Sequence, residues 1–120
     1  MNVLIVCNWG KNRSGYLAGY LKQKGYSVQN GGIYKESNNP VSSEMVDWSE
    51  VIIFVQPQIK EDFKKLFKIS GQKIVILDVE DRTSILVPNN HEMTSEEWTK
   101  FQQEKVYPEL KKQIEKYLPL

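Results

Sequence analysis

The fold is decided by VLIV (Val3–Val6), an apolar run that continues directly into CNWGKNRS (Cys7–Ser14). Four consecutive apolar residues predict a strand buried on both faces, because a half-exposed strand alternates apolar and polar residues. Two more such runs follow, VIIFV at 51–55 and IVIL at 74–77, and segments with helical spacing lie between the runs. This alternation predicts an α/β fold: a small doubly wound, four-stranded parallel sheet with helices on both faces.

The other elements follow from shorter signals. We expect helices over Arg13–Lys24, from Ser42 or Ser43 to Trp48, and from Pro57 to a stop at Gly71, with a weak strand at Ser27–Tyr34. A polar loop is expected over Glu80–Met93. The last helix opens with the capping box Thr94-Ser95-Glu96-Glu97 and should be kinked or divided at Pro108. Core or helix-packing roles are predicted for Trp48, Trp98 and Phe101, and a surface loop position for His91.

Composition limits the classes of protein. A chain of 120 residues forms about one domain, so we expect residues 1–120 to fold as a unit. A net charge of +1 gives no electrostatic reason to expect a nucleic-acid or membrane partner. The N-terminal apolar run is too short for a signal peptide or a membrane span, which favours a cytoplasmic location. With one cysteine and one histidine there is no Cys/His cluster for structural zinc, so Cys7 is predicted to be a free thiol.

The loop after the first strand is the predicted site. In doubly wound sheets, ligands bind beyond the carboxyl ends of the strands, where the winding reverses. A loop that enters a helix N-terminus directs backbone N–H groups and the positive end of the helix dipole at one point, which suits a tetrahedral oxyanion. There Cys7 would be a stabilised thiolate nucleophile, Arg13 would bind two phosphate oxygens, and Ser14 would donate to the sulfur.

The spacing Cys-x5-Arg-Ser is the signature loop of the protein tyrosine phosphatases, and its position on the first strand resembles the low-molecular-weight class. The resemblance continues in Pro40-Val41 and MVDWSEVIIFV, which look like the family's short helix and following apolar strand. The segment GQKIVILDVEDRT (71–83) resembles the family's later strand, which ends in an Ile-Pro-Asp motif. The resemblance implies that residues 1–120 form a single phosphatase-like domain.

Roles follow from the resemblance residue by residue. Cys7 matches the nucleophile, Ser14 the hydroxyl that assists it, and Asp81 the general acid. The phosphate would be held by the loop, that is by Asn8, Trp9, Gly10, Lys11, Asn12 and Arg13. The implied reaction is hydrolysis of a phosphate monoester, foremost phosphotyrosine, through a phosphocysteine, and it requires no metal or cofactor. The partner would be a phosphorylated protein or a small phosphate ester.

The chain departs from the family pattern at two places. The family has Asn, in a left-handed backbone conformation, where this chain has Gly10; glycine keeps that conformation but lacks the amide that braces the loop. The acid motif has become Val79-Glu80-Asp81-Arg82-Thr83, without its prolines and its aromatic residue. Asp78 is therefore a rival general acid. Trp9 and Tyr34 are candidates for the missing aromatic wall, and Lys11 would favour an acidic substrate surface.

Three other functions are considered. A phosphocysteine carrier of the sugar phosphotransferase type also has a cysteine loop after a first strand, but it does not need Arg13. Arsenate reduction on the same scaffold would require an external thiol, because the chain has no second cysteine. A catalytically silent module could bind phosphorylated partners through the same loop, as the altered acid motif suggests. The sequence determines neither the physiological substrate nor the oligomeric state.

Overall fold

A computed structural model describes residues 1–82, 86 and 93–120. Within these residues four strands form one parallel sheet: β1 (Asn2–Cys7), β2 (Ser27–Gly32), β3 (Val51–Phe54) and β4 (Lys73–Ile76). Their spatial order is β2-β1-β3-β4. The central strands β1 and β3 are almost completely buried, as their uninterrupted apolar sequences predict.

The helices of the described ranges connect and flank the strands. They are α1 (Asn12–Gln23), α2 (Ser43–Trp48), α3 (Pro57–Leu66), α4 (Ser95–Phe101) and α5 (Tyr107–Glu115), with a π-helical turn (Gln102–Val106) between the last two. Helix α1 packs on β1 and β2 and against α5. The chain moves outward in one direction from β1 to β2 and in the other from β3 to β4. Right-handed crossovers therefore place helices on both faces, and the predicted doubly wound α/β fold is confirmed.

This topology positions one crevice. The direction of winding changes between β1 and β3, so the carboxyl ends of these neighbouring strands border the site that such sheets offer to ligands. Cys7 is the last residue of β1, and α1 begins five residues later at Asn12. The loop between them therefore lies at the crevice.

Helix α3 ends earlier than predicted. It stops at Leu66, not at Gly71, because Phe67 adopts an extended conformation while its N–H still bonds to Phe63 O. The half-buried Phe67 ring packs on Phe63 with ring centroids 5.0 Å apart. Gly71, with a φ of +86°, instead forms the turn that leads into β4.

The C-terminal helical region is divided as predicted, and the predicted capping box at Thr94 and Glu97 is present. Pro108 lacks an N–H for the carbonyl four residues before it, and the preceding turn widens, with Tyr107 N–H bonding to Gln102 O five residues back. Of the two roles predicted for Trp98, core or helix packing, the core role was wrong. Its helix α4 contributes no fully buried residue, and Trp98 is 39% exposed.

Some predictions concern residues outside the described ranges. His91 and most of the predicted loop Glu80–Met93 are among them. No helix in the part of the chain that the structure describes is both long and apolar enough to cross a membrane.

Candidate active site

The loop after β1 wraps around the Cys7 sulfur. This side chain is 3% exposed, and the Gly10 N–H donates to its Sγ at 3.1 Å. Ser14 Oγ, in the first turn of α1, lies 3.0 Å from the same sulfur. A sulfur that faces a backbone N–H, a hydroxyl and the N-terminal end of a helix is in a position that stabilises a thiolate.

Asn30, on β2, orients the Ser14 hydroxyl. Its Nδ2 donates to Ser14 Oγ at 3.2 Å and to Gly10 O at 2.9 Å. Because the asparagine acts as the donor, the serine proton is free to point at the sulfur once Cys7 is ionised. Asn30 therefore connects the loop and the serine in one hydrogen-bonded unit.

Gly10 is required by both its conformation and its surroundings. It has a φ of +70°, and a Cβ at this position would lie 2.6 Å from Gly32 N and 2.6 Å from Asn39 Oδ1. Asn39 Nδ2 donates to Gly10 O at 2.8 Å and to Asn30 O at 2.9 Å. The bracing amide that the family places in the loop is thus supplied here by Asn30 and Asn39. Sequence reasoning missed both, although the pair Gly31-Gly32 signals the close approach of the loop to β2.

Arg13 is buried, with 3% of its surface exposed, and is held from three sides. Its Nη1 donates to Gln56 Oε1 at 2.5 Å and to Val79 O at 2.6 Å, and its Nη2 donates to Asn8 Oδ1 at 3.1 Å. Its Nε has no hydrogen-bond partner among the described residues. This atom instead forms an ion pair with the Asp81 carboxylate, at a distance of 3.4 Å from Oδ2.

Of the two candidate acids, the structure brings only Asp81 to the loop. Asp81 Oδ2 accepts from Asn12 Nδ2 at 2.8 Å and lies 3.4 Å from Arg13 Nε. Asp78 is exposed, its backbone N–H and C=O both bond to the side chain of Gln113, and it borders a different hollow.

Glu80 shapes the turn that carries Asp81. Its Oε2 accepts from the backbone N–H groups of Asp81 (3.0 Å) and Arg82 (2.9 Å), and its Oε1 accepts from Arg82 Nη2 at 2.7 Å. These side-chain bonds from Arg82 lower the pKa of Glu80 to about 2. The carboxylate therefore fixes the turn where the family pattern has prolines.

A cavity of about 550 Å³ opens over Cys7. Its lining combines the loop with side chains from distant segments: Cys7, Asn8, Trp9, Lys11, Asn12, Arg13, Tyr34, Glu36, Asp81, Arg82 and Trp98. Trp9 and Tyr34 meet edge to face with centroids 4.7 Å apart, and Asn8 Nδ2 donates to the Tyr34 hydroxyl at 3.0 Å. Trp98 is a third aromatic residue at the cavity, which the sequence did not reveal. The side chains of Asn8 and Asn12 form hydrogen bonds with other groups of the protein. Gly10 contributes its backbone N–H, which donates to the Cys7 sulfur.

The chain is a small α/β domain with a buried cysteine and arginine near the carboxyl end of its first strand, and its fold is that of low molecular weight phosphatases. The fold is shared with YwlE arginine phosphatase from Geobacillus stearothermophilus, at 16% identity and a TM-score of 0.60, covering 97% of this chain and 92% of that one. The fold is also shared with a low molecular weight protein tyrosine phosphatase from Bacillus subtilis, at 16% identity and a TM-score of 0.58, covering 97% of this chain and 98% of that one.

A third similar structure is a mutant YwlE arginine phosphatase with a phosphorylated active site serine, at 14% identity and a TM-score of 0.62, covering 98% of this chain and 95% of that chain. No protein-family model and no curated protein sequence matches the chain. At these identities the likeness establishes the fold.

Proposed function

We propose that this protein hydrolyses phosphate monoesters through a phosphocysteine on Cys7. The observation that carries the proposal is the Cys7 sulfur at the N-terminus of α1, bonded by Gly10 N–H and Ser14, with the buried Arg13 guanidinium and its ion-pair partner Asp81 at the same cavity. In this arrangement Cys7 would be the nucleophile, and the loop N–H groups and Arg13 would bind the phosphate and stabilise the charge that develops during transfer. Three similar folds named as phosphatases support the proposal.

The reaction would proceed in two displacements. The Cys7 thiolate attacks phosphorus, an S–P bond forms, and the bond between phosphorus and the leaving oxygen breaks as Asp81 gives that oxygen its proton. Water then attacks the phosphocysteine, Asp81 takes a proton from it, and the S–P bond breaks to release inorganic phosphate and the thiolate. Ser14 would ease this second departure by donating to the sulfur. Arg13 would bind the phosphoryl oxygens through Nε and through the Nη2 proton that is not donated to Asn8.

The aromatic rim indicates a substrate with a flat side chain. Trp9, Tyr34 and Trp98 can stack against a phenyl ring, which favours phosphotyrosine. A guanidinium plane can also stack there, and Glu36 at the cavity together with the arginine phosphatases of similar fold makes phosphoarginine the second candidate, a phosphoramidate in which the P–N bond would break and Asp81 would protonate the leaving nitrogen. Turnover of one peptide carrying either modification distinguishes the two.

The first test is turnover of p-nitrophenyl phosphate by the purified protein and by Cys7→Ser. We expect activity in the wild type and its loss in the variant, with Ser49→Ala, at a buried serine outside the cavity lining, as the matched control. Release of phosphate that persists in Cys7→Ser would contradict the phosphocysteine mechanism. If vanadate protects Cys7 from alkylation but the protein shows no turnover, the silent binding module is favoured. Arsenate reduction that needs an added thiol and is inhibited by vanadate would favour the reductase.

The second test concerns the acid. Asp81→Asn should depress turnover of phenyl phosphate far more than that of p-nitrophenyl phosphate, by about the 10²–10⁴ that acid catalysis contributes, because only the poor leaving group needs the proton. Asp78→Asn is the matched control and should leave both rates unchanged. A selective defect in Asp78→Asn instead would transfer the role to Asp78.

A further inference from the structure

Gln102 is a fully buried polar side chain at the edge of the site. It lies in the π-helical turn and is 0% exposed, although glutamine is rarely buried completely. Both ends of its amide are used toward the site: Oε1 accepts from Asn12 Nδ2 at 2.7 Å, and Nε2 donates to the backbone carbonyl of Asp81 at 3.1 Å. One side chain thus bonds to the loop after β1 and to the turn that carries the acid.

Asn12 has no free hydrogen-bonding capacity on its amide nitrogen. Its two Nδ2 protons are donated to Gln102 Oε1 and to Asp81 Oδ2, and its Oδ1 accepts from the Tyr107 hydroxyl. These partners fix the orientation of the amide, because a flipped asparagine would place its oxygen against the Asp81 carboxylate. In the described residues Asp81 Oδ1 has no hydrogen bond, so this oxygen is the one left to carry the proton.

The π-helical turn explains how two residues of the last helical region reach this position. Gln102 and Tyr107 lie at the two ends of the widened turn, joined by the bond from Tyr107 N–H to Gln102 O. From these positions both side chains bond to Asn12. The Tyr107 ring also stacks on Tyr16 of α1, with centroids 4.6 Å apart and an angle of 7°. Burial, and then the nearby Asp81 charge, raise the pKa of Tyr107, which keeps its hydroxyl protonated as a donor.

We propose that Gln102 is a positioning residue that directs Asp81 Oδ1 at the leaving oxygen, through the Asp81 peptide and through Asn12. The inference rests on the proposed function, in which Asp81 is the acid. Gln102 limits the movement of the Asp81 backbone, and Asn12, held by Gln102 and Tyr107, occupies Oδ2 so that only Oδ1 remains for proton transfer. Any buried amide needs hydrogen-bond partners, and what points to positioning is that both partners of Gln102 belong to the two loops of the site.

The test compares Gln102→Met, which keeps the length but removes both bonds, with Gln103→Met at its exposed neighbour. Tyr107→Phe is a milder variant that keeps the ring stack on Tyr16 and loses only the hydroxyl. We expect kcat/KM for phenyl phosphate to fall about tenfold or more in Gln102→Met, a part of the 10²–10⁴ available to acid catalysis, and for p-nitrophenyl phosphate less than about threefold. Tyr107→Phe should show the same selectivity with a smaller loss, and Gln103→Met none.

A double variant separates positioning from general stability. If Gln102 acts through Asp81, adding Gln102→Met to Asp81→Asn should cause no further loss on phenyl phosphate, whereas independent effects multiply. An equal loss on both substrates, or a multiplicative double variant, would overturn the proposal.

A readout without turnover keeps the inference distinct from the proposed function. In NMR spectra, Gln102→Met should shift or broaden the Asn12 side-chain amide and the Asp81 backbone amide, and Gln103→Met should not. Those changes in a protein that proves inactive would uphold the positioning by Gln102 and refute the phosphatase. Unchanged Asn12 and Asp81 signals would overturn the positioning, whatever the activity.

Discussion

Replacing Gly10 by alanine tests the loop geometry, because Gly25 provides a matched site. Both residues have a positive φ, +70° at Gly10 and +95° at Gly25, but a Cβ at Gly25 meets nothing within 4 Å. At Gly10 the Cβ would lie 2.6 Å from Gly32 N, against an ordinary contact of at least 3.4 Å, so something must move by 3.4 − 2.6 = 0.8 Å. Gly25→Ala isolates the conformational strain, and Gly10→Ala adds the collision.

The strain of a left-handed alanine is about 1–2 kcal/mol, offset by about 0.4–1 kcal/mol from the stiffer unfolded chain, so Gly25→Ala should cost about 1 kcal/mol. The collision with backbone adds the roughly 1–3 kcal/mol typical of overpacking, so Gly10→Ala should cost about 2–4 kcal/mol. The displacement would also move the Gly10 N–H away from the Cys7 sulfur, which it meets at 3.1 Å. Turnover should therefore fall in Gly10→Ala and not in Gly25→Ala.

Urea unfolding gives the two stabilities, and p-nitrophenyl phosphate gives the two rates. Equal destabilisation by the two substitutions, with wild-type turnover in Gly10→Ala, would refute the close approach of the loop to β2 on which the site's geometry depends.

Three further predictions concern side chains around the loop. Arg13→Lys should lower p-nitrophenyl phosphate turnover by about 10² or more, because an ammonium cannot reproduce a guanidinium held in a plane by three hydrogen bonds; near-normal kcat would remove Arg13 from the mechanism. Asn39→Ala removes two hydrogen bonds and should cost about 1–3 kcal/mol in urea unfolding, with exposed Asn38→Ala as the neutral control; equal stabilities would contradict the bracing role. The pKa of Glu80 is lowered from its ordinary 4.5 to about 2, so its stabilisation is complete above 4.5 and is lost as the pH falls through about 2. Arg82→Ala should therefore raise the pH midpoint of acid unfolding followed by circular dichroism, and an unchanged midpoint would argue against this pairing.

Local patterns in the sequence were sufficient for the fold and for the half of the site that lies on one segment. The apolar run Val3–Val6 predicts a buried strand, and the helix after it brings Arg13 and Ser14 to Cys7 by local geometry alone. Asp81 could be nominated only through the family resemblance, because the sequence alone does not show whether Asp81 or Asp78 reaches the loop after β1. Tertiary contacts make that distinction, since Asp81 meets Asn12 whereas the backbone of Asp78 is bonded by Gln113.

The other half of the site depends on contacts between segments far apart in the chain. Asn30 and Asn39 brace the loop from β2 and beyond, and Gln102 and Tyr107 reach it from the last helical region. Side-chain hydrogen bonds of this kind leave no periodicity in the sequence, and a π-helical turn has no propensity signature of its own. Trp98 was misplaced for a related reason: helical spacing predicts a buried face only where the helix packs on the core, and α4 lies at the rim of the cavity.

The proposed mechanism requires Cys7 to become covalently phosphorylated during turnover. The Asp81→Asn substitution should slow hydrolysis of the intermediate and let it accumulate. The variant protein is therefore mixed with p-nitrophenyl phosphate, denatured rapidly at neutral pH, and digested for mass spectrometry. We expect one phosphoryl group on the peptide that contains Cys7, and vanadate should suppress it; Cys7→Ser leaves the chain without a cysteine and should yield no phosphocysteine. Active protein that releases p-nitrophenol while Cys7 remains unmodified throughout would contradict this mechanism.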